Sequence, residues 1–236
     1  LHGYHDAQGA FPIQQNSRYE PRYYGMYSAH ARLLPYLENR PLYDAINFDV
    51  GTAITPQPGA LGDQFEAINQ PNRTFLGVGV ALLLCPSDGQ GKASGTSYCA
   101  NAGIGPDLRP SAQYPDSGNG ILPELDLVRA AQVVDGLSHT AAVSERLQGR
   151  GAIDHRFPER LLFPLTNLAY TSDELLLACR IAARRGNGGF ATAGSTWFWT
   201  GRLHTVYTHT QPPNGRVPDC YLPSMITPNA MATARS

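Results

Sequence analysis

The stretch that decides how the fold is read is Leu1–Pro12, LHGYHDAQGAFP. Leu1-His2-Gly3-Tyr4-His5 has the character of the tail of a helix, and the chain carries no initiator Met. A segment ahead of Leu1, holding the body of that helix, is therefore expected. Within the stretch, His2, His5 and Asp6 would share a helical face, because spacings of three and four bring side chains together. Three such groups would suffice to hold a metal, but solvated histidines at an exposed helix end are the plainer reading, and no metal is expected.

Beyond that stretch, composition narrows the class. The 236 residues are enough to bury one sizeable core, and a single domain is expected over 1–236. Charged residues make up 16% of the chain, and Lys92 is its only lysine. With 24 Gly and 19 Pro, this is the profile of a loop-rich, β-containing protein outside the cytosol. A net charge of -1 without a cationic stripe gives no electrostatic basis for holding nucleic acid. The longest apolar run, Val78–Leu84, is strand-sized and far short of the ~20 residues that span a bilayer.

The local pattern is a mosaic of short elements. Arg32–Glu38 and Pro41–Ile46 have a helix-like apolar period, each with a proline where a helix begins. Residues 51–70 read as a surface loop. Thr74–Leu84 reads as an apolar strand ended by the turn signal Cys85-Pro86-Ser87-Asp88-Gly89, with a second strand over Gly95–Ala100. Gly103–Gly120 is again loop-like, Leu127–Val134 suits a short helix stopped at Asp135-Gly136, and Thr140–Glu145 suits a strand. The strongest helix is Ser172–Arg185, with a capping Ser, acids in its first turn, Arg in its last and Gly186 beyond. Thr196–Thr200 and Val206–Thr208 read as strands. Short helices and period-2 runs without a βαβ rhythm predict an α+β fold.

The motifs that invite a catalytic reading fail on geometry. Gly91-Lys92 lacks both the first glycine and the Ser/Thr of a phosphate-binding loop. Asp116–Gly120 has glycines at the third and fifth positions and Leu127 at the twelfth, too few oxygens for a calcium loop. His204 and His209 are five apart and would leave opposite faces of one strand. No Gly-x-Ser-x-Gly elbow accompanies the serines, and Ser144-Glu145-Arg146 reads as a strand end with an ion pair. Asn72-Arg73-Thr74 satisfies the glycosylation pattern. No catalytic residue and no cofactor are expected, and weak calcium binding by loop carbonyls and acids is left open.

Four cysteines, Cys85, Cys99, Cys179 and Cys220, without a Cys-x-x-Cys pair, suit two disulfides better than a metal site. Cys85 and Cys99 end up in neighbouring predicted strands, so the expected pairs are Cys85 with Cys99 and Cys179 with Cys220. Trp197, Trp199, Tyr207 and Tyr221, with Tyr19, Tyr23, Tyr24 and Tyr27, offer two readings. They form an aromatic platform for a glycan or other polymer, or they fill a sheet core and its edges, as alternating aromatics do.

Taken in order, LHGYHDAQGAFP, HARLLPYLENRPLYDAINF, LLLCPSD, SYCANAG, NGIL, VVDGLSHTAAVSER, a Trp and PPNGRVPDC resemble a prepilin-like family abundant in planctomycete-type bacteria, a domain of unknown function. The blocks span Leu1 to Cys220. The resemblance implies a pilin-like head: a small antiparallel sheet, short helices and long loops, behind a cleavage-and-methylation site and a long apolar helix that would end at Leu1. It also implies a terminal His, nine residues, then Asp-Gly, beyond Ser236. Residues 151–194 fit the family pattern poorly and are expected to be an inserted helical segment.

Two functions are consistent with this resemblance. The first is a structural, surface-exposed pseudopilin-like subunit, extracellular or periplasmic. It would be anchored in the membrane by the preceding helix and would assemble with copies of itself or related subunits. The second is a membrane-anchored binding module or hydrolase acting on a glycan or other polymer.

Overall fold

Helix α1 (His2–Gln8) stops where Gly9 adopts a left-handed φ of 74° and donates its N–H to the His5 carbonyl. In the computed structural model, which describes residues 1–14, 23–24, 27–49, 53–54, 70–89, 91–103, 119–123, 126–165, 172–186, 189–199, 204–212 and 214–221, this helix lies on the surface and buries none of its own residues. Leu1 packs against the cluster of Phe11, Ala100, Ile121 and Leu122. Tyr4 meets Tyr36 edge-on at 5.6 Å between ring centres, and His5 lies against Phe11 at 4.9 Å.

Both prolines of the next segment stand at helix starts, as the sequence predicts. Helix α2 (Ala29–Leu33) is capped by buried Ser28, whose Oγ accepts the Ala31 N–H at 3.1 Å and donates to the Trp197 carbonyl. A 3-10 turn, Leu34–Leu37, follows with Pro35 in its first turn, and α3 (Arg40–Ala45) has Pro41 in its own. Strands β1 (Tyr23–Tyr24) and β2 (Ala53–Ile54) pair antiparallel, so the loop expected over 51–70 contains a strand, and its residues 55–69 lie outside the described ones. Most of the loop expected over 103–120 lies outside them too.

The expected strand over Thr74–Leu84 is replaced by two 3-10 turns, Gln70–Gly77 and Ala81–Leu83. Val80 and Leu83 are buried three residues apart while Leu82 is 60% exposed, so a period of three rather than two buries the apolar side chains. They join Tyr27, Ala31, Leu34, Ile46, Phe75, Trp197 and Phe198 in one core cluster. Burying side chains of this size contributes about 2 kcal/mol each. The strand expected over Thr196–Thr200 is also corrected. Trp197 and Phe198 are both buried, which no half-exposed strand allows, and among the described residues the segment keeps a single bridge, from Trp199 to Tyr27. Leu127–Val134 gives one 3-10 turn, Ala130–Gln132, because Gln132 Oε1 takes the Arg129 N–H at 2.8 Å and closes the turn early.

The central sheet has the order β4-β3-β6, from β3 (Tyr98–Asn101), β4 (Val143–Glu145) and β6 (Val206–Tyr207). β3 pairs antiparallel with β4 but parallel with β6, so the sheet is mixed where an antiparallel one was expected. The long chain between β3 and β6 supplies the crossover that a parallel neighbour requires. A second pair, β5 (Phe163–Pro164) with β7 (Cys220–Tyr221), is also parallel. Helix α4 (Ser172–Arg185) has the predicted bounds and packs Leu175 and Cys179 onto Leu161, Phe163, Leu165, Val217 and Cys220. Short helices, small sheets and long connections make the fold α+β. Among the described residues, no helix is long and apolar enough to cross a membrane.

Candidate functional site

Alternation along the central sheet gives it one polar face. The registers Cys99 to Ser144 and Asn101 to Tyr207 place these four side chains together, opposite Tyr98, Ala100, Val143, Glu145 and Val206. Cys99 and Tyr207 are fully buried and in contact. The chain entering β6 adds His204, whose carbonyl accepts from Arg146 Nη2 at 3.0 Å and from the Cys99 thiol at 3.6 Å. Ser195 Oγ lies 3.3 Å from His204 Nδ1. A serine, an imidazole, a thiol, a phenol and a guanidinium thus meet at one place.

Their protonation decides what they can do. Burial, then the nearby Arg146 guanidinium, pushes the His204 imidazole down to about 4, so it is neutral near pH 7 and a weak base toward Ser195. A carboxylate beside the ring would have the opposite effect; here the strongest neighbouring charge is a cation. Burial also raises the Cys99 thiol, outweighing Arg146, and a protonated thiol is a poor nucleophile. Tyr207 is pushed up to about 12 by burial, with Cys99 adding to it, and its hydroxyl has no hydrogen-bond partner among the described residues.

A second polar node braces the loop before β3. Arg160 Nη1 lies 2.6 Å from Asp88 Oδ1 in a nearly buried ion pair, and the Asp88 Oδ2 accepts the Gln148 N–H at 2.9 Å. Arg160 Nη1 also donates to the Gln148 carbonyl at 2.8 Å. A Cβ on Gly91 or Gly95 would collide with the Gln148 side chain, so these glycines are there for close packing.

The residues singled out in the sequence fall into place differently. His5 Nε2 accepts the Ala130 N–H at 3.1 Å and its Nδ1 lies 3.7 Å from Asp6, while His2 and Asp6 stay exposed. One imidazole nitrogen is thereby committed to the backbone. Among the described residues no three His, Cys, Asp or Glu side chains gather as a metal-holding set. His204 and His209 do not converge on one site: His204 faces Ser195, whereas His209 stands 6.0 Å from the Tyr207 ring.

Trp197 and Tyr207 are fully buried, so they take no part in an exposed aromatic platform. Tyr27 is likewise buried, and Trp199 is half-buried against His204 at 6.3 Å. Tyr19 and the side chains of Tyr23, Tyr24 and Tyr221 lie outside the described residues. Asn72 is fully buried, donating to Tyr27 OH and the Asn47 carbonyl at 2.8 Å each, so its glycosylation pattern is an internal hydrogen-bond node.

Cys179 and Cys220 form the expected disulfide, with Cα atoms 5.5 Å apart. Cys85 and Cys99 are both free thiols, which corrects the first expected pair. Cys85 follows a 3-10 turn instead of a strand, gives its N–H to Ser97 Oγ, and lies beside Tyr98. Tyr98 leaves the opposite face of β3 from Cys99. The polar face itself was missed in the sequence, because Ser195, His204, Arg146 and Cys99 carry no spacing signature and meet only through the crossover to β6.

The fold and this face define a small α+β domain with a buried polar layer and a disulfide-pinned helix. The chain belongs to the family described as Protein of unknown function (DUF1559), whose model matches residues 1–220. No curated protein and no solved structure matches it.

Proposed function

We propose that the chain is the exposed head of a pseudopilin-like subunit, tethered in the envelope by a helix leading into α1 and working by assembly into a filament or envelope-associated complex. The observation that carries this reading is the seating of α1. Leu1, Tyr4 and His5 fix the helix on the head, and Gly9 ends it at the head surface, which is the junction such a subunit requires. The ordered blocks from Leu1 to Cys220 and the disulfide, which suits an oxidising compartment, support it. The resting forms of His204, Cys99 and Tyr207 weigh toward packing rather than turnover. The anchored binding module or hydrolase loses much of its basis with the burial of Trp197 and Tyr207.

Fractionating cells of the source organism with an antibody to this chain tests the placement. The reading expects the chain in the envelope fraction, accessible to protease added to intact or outer-membrane-permeabilised cells. Recovery wholly in the cytosol overturns it.

A further inference from the structure

The segment before β4 runs back along α1. The Val128 carbonyl accepts the Phe11 N–H at 2.8 Å, just beyond the end of the helix, and two residues later the Ala130 N–H reaches His5 Nε2 at 3.1 Å, halfway along it. Val133, like Leu1, then packs against the Phe11 cluster. The chain rejoins the sheet at Ala142, whose carbonyl accepts the Asn101 N–H at 3.0 Å. Between these two feet, residues 134–141 form a turn at the Leu1 end of the helix. Hydrogen bonds close it: Gly136, at a φ of 84°, donates to the Val133 carbonyl, and the His139 N–H and Thr140 Oγ1 both donate to the Gly136 carbonyl. Its tip holds apolar side chains out to solvent, Val134 at 90% exposure and Leu137 at 36%.

We propose that this turn, with Val134 and Leu137 at its tip, rests in the interface of the lipid bilayer to which the head is tethered. The contact presupposes the tether proposed above and adds the surface that the head turns toward the lipid. Position selects the occupant. A helix leading into α1 from the bilayer brings the Leu1 end of the head nearest the lipid, and the turn stands at that end. Composition agrees with it. Residues 134–141 hold no Lys or Arg and a single acid, Asp135, so the turn has little to offer a charged protein partner or an anionic headgroup. A valine and a leucine on a closed turn suit the apolar edge of the headgroup layer. Two such side chains bind lipid weakly by themselves, and a tether that keeps them at the surface makes the contact effective.

The 236-residue chain with an N-terminal histidine tag, bound to phosphatidylcholine vesicles that contain a nickel-chelating lipid, reproduces the tether. Val134→Cys in a Cys85→Ser background takes an environment-sensitive fluorophore at the tip of the turn. Leu177→Cys in the same background, on the exposed side of α4 over a different core cluster, takes the same fluorophore for comparison. Insertion predicts that on tethering the Val134 probe shifts its emission to shorter wavelength and loses intensity to a quencher attached high on the lipid chains, while the Leu177 probe does neither. Leu137→Asp added to the Val134→Cys chain reverses most of the shift, because the second apolar side chain is lost. Raising the salt leaves the shift in place, since no ionic contact is involved. A Val134 probe that stays as wet as the Leu177 probe, or that is shielded equally before tethering, overturns the lipid contact. So does one shielded only when heads are crowded on the vesicle, which gives the turn to a neighbouring copy. The tag supplies the tether whatever the cell does, so these results bear on the turn alone, whereas cytosolic recovery in the fractionation bears on the tether.

Discussion

His30 and His204 are imidazoles whose burial holds them at about 4, against an ordinary value of 6.5. A folded pKa lowered below the unfolded one means the unfolded chain binds more protons as pH falls. The stability these residues support is fully present above about 6.5 and is lost as pH drops toward about 4. Urea midpoints measured from pH 7 to pH 4 should therefore fall through that window, and His30→Gln should flatten part of the fall. An unchanged slope in that variant would contradict the assignment. The thiols separate in the same way. Cys85 is half-buried and should react with a thiol reagent in the native protein, whereas Cys99, buried and with its thiol pKa raised, should react only on unfolding. Equal labelling rates, or a Cys85–Cys99 bond found by nonreducing peptide mapping, would contradict this.

At the scale of elements, the disulfide links α4 to β7 across a separation of 41 residues. Closing a loop of that length restricts the unfolded chain by about 4 kcal/mol in the chain-entropy model. Replacing Cys179 and Cys220 together by Ser should lower unfolding stability by up to that amount in urea titrations, with the loss concentrated in amide protection of α4. Full retention of stability would show that packing of Leu175 alone holds the helix. This element was also the most legible in the sequence, because the arginines of its last turn and the left-handed Gly186 beyond it act locally, while the side chain of the expected capping Ser172 lies outside the described residues. So were the prolines of the 3-10 turn and α3, which set φ wherever they stand. The strands were less legible. Val78–Leu84 carries apolar residues that suit a strand, but tertiary burial of Val80 and Leu83 selects a 3-10 period. Trp197 and Phe198 are held by the core around Tyr27, which no local pattern announces. The parallel pairing of β3 with β6 depends on a crossover of about a hundred residues, so the polar face it assembles left no trace in residue spacing.

At the scale of the whole molecule, an α+β fold of the DUF1559 family joins α1, with Leu1 against the Phe11 cluster, to a central mixed sheet and a separate cluster under α4. On the proposed reading, association resides chiefly in an apolar helix leading into α1, while the head supplies weaker contacts. The most direct test is to compare the 236-residue chain with the same chain carrying a pilin-type apolar helix ahead of Leu1, both produced with the disulfide intact, by sedimentation and electron microscopy after gentle extraction. The account predicts that the head sediments as a monomer or associates only weakly, while the helix-bearing form is membrane-associated or polymeric with heads exposed. A helix-bearing form that stays soluble and monomeric, together with turnover of a glycan or other polymer by the head, would contradict it.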